Sequence, residues 1–119
     1  MGTVHRFVGS ESALDWEGVP DKVVDVPGVT GKVLVGPGDD APNFRIRYFR
    51  IESGGSSSLE QHSHDHGVFI LHGRARVRMG AEEVEVRPRD VVYIPGDELH
   101  QFCAIGDEPL GFLCVIPAV

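Results

Sequence analysis

Four histidines are the residues of this sequence best suited to chemistry. His62, His64 and His66 fall within five positions, and His100 stands ahead of an apolar segment. Residues two apart in an extended strand face the same side, with Cα atoms about 6.6–6.8 Å apart, so the first two imidazoles can converge on one ion. A neutral imidazole nitrogen binds divalent metals at roughly 2.0–2.2 Å. The pattern therefore predicts a metal site.

The place of His66 in that site depends on a bend in the chain. In a straight strand His62 and His66 would lie about 13 Å apart at Cα, too far to share an ion. Gly67 follows directly and can adopt the backbone angles of a bend or of a tight hairpin. We expect His66 to be a ligand, and the alternative is a solvent-facing loop histidine.

The remaining histidines and the nearby carboxylates have supporting or surface roles. The second ring nitrogen of a metal-bound histidine needs an acceptor, and Glu60 and Asp65 are the candidates by position. His72 precedes Gly73 at a strand end, where we expect an exposed turn residue. His5 is expected on the surface near the amino terminus.

The elements that must position these histidines are predicted to be strands. Segments rich in Val, Ile, Phe and Tyr alternate with turns rich in Gly, Pro and Asp, and helical periodicity is missing except for one possible turn at 10–16. The predicted strands are residues 32–35, 44–51, 67–71, 74–79, 82–87, 91–94, 99–105 and 110–116. This spacing indicates an all-β fold.

Two segments carry more detail. In 74–87 apolar residues such as Val77 and Val84 alternate with arginines and glutamates, which predicts a hairpin with a core face and a charged, register-setting solvent face. In 44–51 the alternation slips at Tyr48–Phe49, which indicates either a bulge or a strand covered on both faces. The direction of Arg47 and Tyr48 therefore stays open.

Length and charge narrow the possible functions. The 119 residues suit one domain, with residues 1–30 as extra strands or an arm and 31–117 as the core. A formal charge of −7 without a basic stretch argues against nucleic acid and anionic membranes as partners, and no apolar run approaches the length of a membrane span. Cys103 and Cys114 lie in apolar surroundings and are expected to be reduced core residues, although a disulfide stays open. We expect a cytoplasmic protein.

With these residues in place, the sequence resembles the cupin superfamily. Its first motif is a glycine, H-x-H, three or four residues, a glutamate, six residues and a glycine. His62, His64 and Gly73 match it, while His66 takes the glutamate position after a one-residue spacer. In the second motif Pro95 and His100 match in spacing.

Three positions of that second motif depart from the family pattern. Arg89 and Asp97 stand where the motif has glycine, and Ala104 stands where it has asparagine. The segments 40–44, 53–55, 62–64 and 112–117 are similar to those of small single-domain bacterial cupins of the four-histidine manganese type.

The resemblance, which covers about residues 30–117, implies a single jelly-roll or double-stranded β-helix barrel. It implies His62, His64, His66 and His100 as ligands of one divalent metal ion, with Mn, Fe, Ni and Zn as the candidates. Small single-domain cupins commonly pair, and the apolar first 30 residues need cover, so we expect a homodimer.

The functional hypothesis is a metal-dependent enzyme acting on a small organic molecule, with a dioxygenase as the leading reaction class. Arg47 and Phe102 are the residues expected to line its substrate pocket. The alternative is a non-catalytic cupin that binds or senses a small molecule. A third reading is an interaction module with incidental histidines; a protein without stoichiometric metal would favour this reading or the binding one over the enzyme.

Overall fold

Nine strands and one turn of 3-10 helix make up the regular structure of this chain in a computed structural model, which describes residues 2–11 and 13–118. The strands are Asp21–Lys22 (β1), Val29–Val35 (β2), Phe44–Ile51 (β3), His66–His72 (β4), Arg74–Met79 (β5), Glu82–Val86 (β6), Val91–Ile94 (β7), His100–Ile105 (β8) and Leu110–Pro117 (β9). All eight predicted segments form strands. The short β1 has no apolar alternation by which the sequence could reveal it.

The strands form two sheets around one core. The larger sheet has the order β1-β2-β3-β9-β4-β7 and the smaller one the order β6-β5-β8, with antiparallel pairing throughout. Ile51 and Ile70 of the larger sheet and Val77 and Phe102 of the smaller one belong to a single buried cluster. The two sheets therefore pack face to face, which is the predicted all-β jelly-roll arrangement.

Strand β3 is covered on both faces, which resolves the broken alternation at Tyr48. Its pairing with β9 runs without a shift from Phe44 to Ile51, so β3 has no bulge against that neighbour. Tyr48 is buried on the outer face, where the ring of Trp16 packs against it with centroids 5.4 Å apart. Arg47 consequently points to the inner face, between the sheets.

The amino-terminal arm provides that outer cover as an extended hairpin. The main chains of Ser10 and Ala13 exchange two hydrogen bonds of 3.0 and 3.1 Å, and Phe7 bridges to Trp16 in antiparallel pairing. The helical turn expected over 10–16 is therefore wrong in the described part of that range; Ser12 lies outside it. Burial of Trp16 on the sheet outweighs the weak local preference for a helical turn.

The arm is tied down at a second point by His5, which is half-buried instead of lying free on the surface. Its Nε2 lies 2.6 Å from Asp39 Oδ1, and its Nδ1 lies 3.1 Å from the carbonyl of Glu17. The hydrogen bond to Asp39 raises the pKa of His5. Hydrogen bonds from the Gly36 amide, from Thr3 and from His5 lower the pKa of Asp39 to about 2.

The β5–β6 hairpin follows the predicted pattern with one exception. Arginines of β5 meet glutamates of β6 on the solvent face, with distances of 3.6 Å for Arg74–Glu85 and 4.0 Å for Arg76–Glu83. Val84, expected in the core, is 44% exposed because β6 is the edge strand of its sheet.

The described residues contain no helix with the length and apolar character of a membrane span. Both cysteines have free thiols, as expected; Cys114 is buried and Cys103 is partly exposed.

Candidate metal centre

Three of the four predicted ligands meet between the two sheets. One ligand atom each of His62, His66 and His100 lies within 4.8 Å of the other two. The ring centroids are 4.8 Å apart for His66 and His100, 5.4 Å for His62 and His66, and 5.5 Å for His62 and His100. His66 and His100 are each only 6% exposed. This is the convergence from distant parts of the chain that the sequence predicted.

The sheet ends place these three side chains. His66 is the first residue of β4 and pairs with Ile94 of β7, whereas His100 is the first residue of β8 and pairs with Met79 of β5. Glu60 extends the smaller sheet, since its amide and carbonyl exchange two hydrogen bonds of 2.9 Å with the main chain of His100. His62 follows two residues later and is thereby brought beside His100.

The loop that carries His62 packs closely against the turn before β8. The amide of Asp97 donates a 2.6 Å hydrogen bond to the carbonyl of His62. A Cβ at Gly96 would lie 2.4 Å from the carbonyl oxygen of Ser63, so only glycine allows this approach without a backbone shift. Gly96 therefore holds together the two segments that supply the histidines.

Two departures from the family's second motif keep the backbone that glycine would favour. Arg89 has φ 76° and Asp97 has φ 66°, both in the left-handed region. Gly73, which matches the first motif, has φ 71°. The turns of the motif are therefore present without all of its glycines.

The H-x-H geometry differs from the prediction. Neither His62 nor His64 lies in a strand, and the bend occurs at Ser63 and His64. Gly67, expected to make the bend, is an extended residue inside β4 and pairs with both neighbouring strands. Since the chain turns before β4 begins, His66 reaches the cluster from within the strand.

His64 stands beside the three convergent histidines. Its ring stacks on that of His62 at 5.0 Å and 4°, and it lies 4.9 Å from the ring of His66. It is not a member of the group whose ligand atoms all lie within 4.8 Å. Its role as a fourth ligand stays a prediction.

The hydrogen bonds of the three histidines leave nitrogens suited to a metal ion. His100 Nδ1 donates to the Glu98 carbonyl at 2.8 Å, which leaves Nε2 as the unprotonated nitrogen of a neutral ring. His62 Nε2 lies 2.9 Å from Glu60 Oε2, which leaves Nδ1. His66 Nε2 is buried and has no hydrogen-bond partner within the described structure. A buried polar atom without a partner is costly, and a metal ion would satisfy it.

Burial favours the neutral form of two of these histidines, His66 and His64. Burial, assisted by the neighbouring His100, lowers the pKa of His66 to about 4. Burial also lowers the pKa of His64. Neutral imidazole is the form that binds metal, so the donor set fits one divalent cation.

A cavity of about 100 Å³ adjoins the cluster. Arg47 and Phe102, the two predicted pocket residues, both line it, as do the three convergent histidines. Phe102 is buried and stacks on Phe112 at 4.6 Å, whereas Arg47 Nη2 lies 3.2 Å from Cys114 Sγ. The structure thus places both residues at the site, and their action on a substrate stays a prediction.

Cys114 was expected only as a core residue, yet its thiol faces this cavity. Sγ lies 3.3 Å from His66 Nδ1 and accepts the contact from Arg47. Burial raises the pKa of the thiol. The inward alternation of β9, in which Phe112 and Ile116 are also buried, is the signal that could have placed it.

His72 is not the exposed turn residue that was expected. Its Nδ1 donates to the Pro109 carbonyl at 2.9 Å, and its Nε2 accepts from the Tyr48 hydroxyl at 2.6 Å. A Cβ at Gly111 would collide with its ring. His72 therefore packs on the outer face of the larger sheet and is not part of the histidine cluster.

Comparison with known proteins agrees with this architecture. The family model of the cupin domain matches residues 47–116. A curated relative, 1-methylthio-D-xylulose 5-phosphate methylsulfurylase from Rhodospirillum rubrum, is 51% identical over 73 residues, which are 61% of this chain and 47% of that protein. The chain thus spans about half the length of this relative.

Two solved structures cover nearly the whole chain. A cupin-2 domain protein from Rhodospirillum rubrum shares 41% identity with a TM-score of 0.80, over 95% of this chain and 78% of that one. A cupin 2 conserved barrel domain protein from Rhodopseudomonas palustris shares 31% identity with a TM-score of 0.81, over 98% of this chain and 81% of that one. With the jelly-roll sheets and the histidine cluster, these matches show that the chain belongs to the cupin family.

Proposed function

We propose that this cupin is a metal-dependent enzyme that holds one divalent cation on His62, His66 and His100 and acts on a small organic molecule in the adjoining cavity. The observation that carries the proposal is the convergence of three imidazoles, one of which has a buried and unpartnered Nε2. A divalent metal bound there would polarise an oxygen atom of the substrate. Manganese, iron, nickel and zinc are all compatible with such ligands.

The residues of the chain have separate tasks in this proposal. Glu60 holds the Nε2 of His62, and the Glu98 carbonyl holds the Nδ1 of His100, so both rings are fixed in orientation. Phe102 and the neighbouring apolar side chains exclude water from the inner end of the cavity. Arg47 supplies a positive charge beside the reacting molecule.

The reaction to assay first is a carbon–sulfur reaction of the kind named for the Rhodospirillum rubrum relative. The 51% identity over 73 residues supports this choice, and so does a thiol, that of Cys114, in the wall of the cavity. The substrate to offer is 1-methylthio-D-xylulose 5-phosphate. Because the chain covers 47% of that relative, the shared activity is a proposal for this chain.

A dioxygenase is the second candidate, as predicted from the family resemblance. Its support is a histidine-only donor set beside a cavity walled by Phe49, Phe102 and Phe112. Oxygen uptake with small phenols, alkenes and diketones separates it from the sulfur reaction. Stoichiometric metal without turnover in either assay would favour the alternative of a binding or sensor protein.

The metal itself is tested by elemental analysis of untagged protein and of a His62→Ala variant. We expect about one metal ion per chain in the wild type and its loss in the variant. His72→Ala is the matched control, since it removes a histidine outside the cluster, and it should keep the metal. Full metal content in His62→Ala would disprove the site.

The expected homodimer is proposed on the outer face of β9, β4 and β7. Phe69 pairs with Val91, and the flanking Tyr93 and Val115 face the same side, with exposures between 39 and 73%. A second copy of the chain would cover this apolar face. A monomeric mass by light scattering, or a Val91→Lys variant that stays dimeric, would contradict the proposal.

A further inference from the structure

Arg47 is a partly buried cation on the inner face of β3, and among the described residues its Nε has no hydrogen-bond partner. It lies in the middle of β3, opposite Cys114 of β9, and its Nε is buried without a hydrogen bond. Within residues 2–11 and 13–118, no carboxylate comes within the 4.0 Å that defines an ion pair with it. Its contacts are the thiol at 3.2 Å and the face of Phe49 at 5.0 Å.

Neither contact balances the charge. A thiol is a weak acceptor, and an aromatic face only partly replaces the hydration that a guanidinium loses on burial. Arginine does not escape this cost by losing its proton, as a buried lysine does. An anion in the cavity that Arg47 lines would balance this charge and give the buried Nε a partner.

Among the described residues that line the cavity there is one carboxylate, and it already has a hydrogen-bond partner. Among the described lining residues only Glu60 is acidic, and its Oε2 is engaged with His62 Nε2 at 2.9 Å. The three convergent histidines bring no negative charge, because an imidazole is neutral or positive. A divalent cation on them would make the cavity more positive still, so a ligand that brings negative charge is favoured.

We propose that Arg47 selects substrates with a planar oxyanion, a carboxylate or an enolate, which it binds through its Nε side while another oxygen faces the histidine cluster. This deepens the proposed function and rests on it. The cavity of about 100 Å³ suits a small anionic group such as a carboxylate. Phe49 and Phe102, which also line the cavity, suit a flat group.

The test uses pyruvate as the probe, with pyruvamide as its uncharged counterpart, and compares the full-length wild type with Arg47→Met and Arg47→Lys. Binding is followed by broadening of the probe's methyl signal with manganese-loaded protein and by saturation transfer with metal-free protein. Pyruvate should bind the wild type more tightly than pyruvamide does. Arg47→Met should weaken pyruvate binding by about 10- to 100-fold, the range for losing a hydrogen bond to a charged group, and Arg47→Lys should restore part of it.

Metal affinity is measured on the same samples without the probe, so that the two proposals fail separately. Equal binding of pyruvate and pyruvamide, or an Arg47→Met variant that binds pyruvate as well as the wild type does, would overturn the anion site and leave the metal centre standing. Loss of metal binding in all proteins, with Arg47-dependent pyruvate binding to metal-free protein, would overturn the metal centre and support the anion site.

Discussion

Replacing His66 by leucine should have opposite effects on stability with and without metal. His66 is 6% exposed, its Nε2 is buried without a partner, and its only other polar contact is the 3.3 Å approach of Nδ1 to Cys114 Sγ. A buried unsatisfied polar group costs about 1–3 kcal/mol, and a weak hydrogen bond returns about 0.5 kcal/mol. A leucine of similar volume removes both, so the metal-free variant should gain about 1 kcal/mol.

With metal the order should reverse. Binding at a hundred times the dissociation constant stabilises the wild type by about 2.7 kcal/mol, and the variant has lost one of three ligands. For 119 residues the entropy of unfolding is about 0.25 kcal/mol per kelvin, so these energies correspond to about 4 °C and about 11 °C in Tm. The variant should therefore melt about 4 °C above the wild type in chelator and about 7 °C below it in saturating manganese.

The assay is thermal unfolding followed by circular dichroism on untagged protein, in EDTA and in saturating Mn²⁺. His5→Leu is the matched control, because it makes the same change outside the cluster and should keep the full metal-dependent rise. A His66→Leu variant that keeps that rise would refute the assignment of His66 as a ligand. A metal-free variant that melts several degrees below the wild type would refute the reasoning about its unpartnered nitrogen.

Three further predictions concern the turns and the arm. Gly96→Ala places a Cβ 2.4 Å from the Ser63 carbonyl oxygen, and we expect a loss of about 1–3 kcal/mol with a weaker metal affinity by titration; an unchanged affinity would contradict the role of this contact. Arg89→Gly should raise stability by about 1 kcal/mol in denaturant unfolding, because Arg89 has φ 76°, and a decrease would show that the backbone is unstrained there. The raised pKa of His5 stabilises the folded protein below about pH 6.5, and this contribution is lost as pH rises through the folded-state pKa. The lowered pKa of Asp39 stabilises the folded protein above about pH 3.8, and this contribution is lost as pH falls toward 2. The Tm difference between wild type and His5→Ala should thus be largest between about pH 3.8 and about pH 6.5. A difference that grows at alkaline pH would be inconsistent with the His5–Asp39 ion pair.

The placement of Gly96 explains why the metal site and the fold are hard to separate in this chain. The turn before β8 leads directly into His100, and its contacts with Ser63 and His62 set the position of His62 relative to His100. A change in that turn is expected to alter stability and metal affinity together. Substitutions of Phe7 or Trp16, which pack on the outer face of the larger sheet, should change stability alone.

Alternating apolar residues and turn residues were enough to predict the strands and the all-β fold, since side-chain period and glycine or proline turns act locally. The grouping of His62, His64 and His66 with His100 also predicted that histidines from both segments meet, as His62, His66 and His100 do, while the metal itself stays a prediction. Both inferences depend only on residue type and spacing, which can be read directly from the sequence.

Only the tertiary structure decided which side chains meet. The inward direction of Arg47 depends on Trp16 covering the other face of β3, and the partial burial of His72 depends on its contacts with Tyr48 and Pro109. The bend at Ser63 depends on its packing against Gly96, more than thirty residues later. These contacts join segments that are distant in sequence, so a local sequence pattern could not predict them.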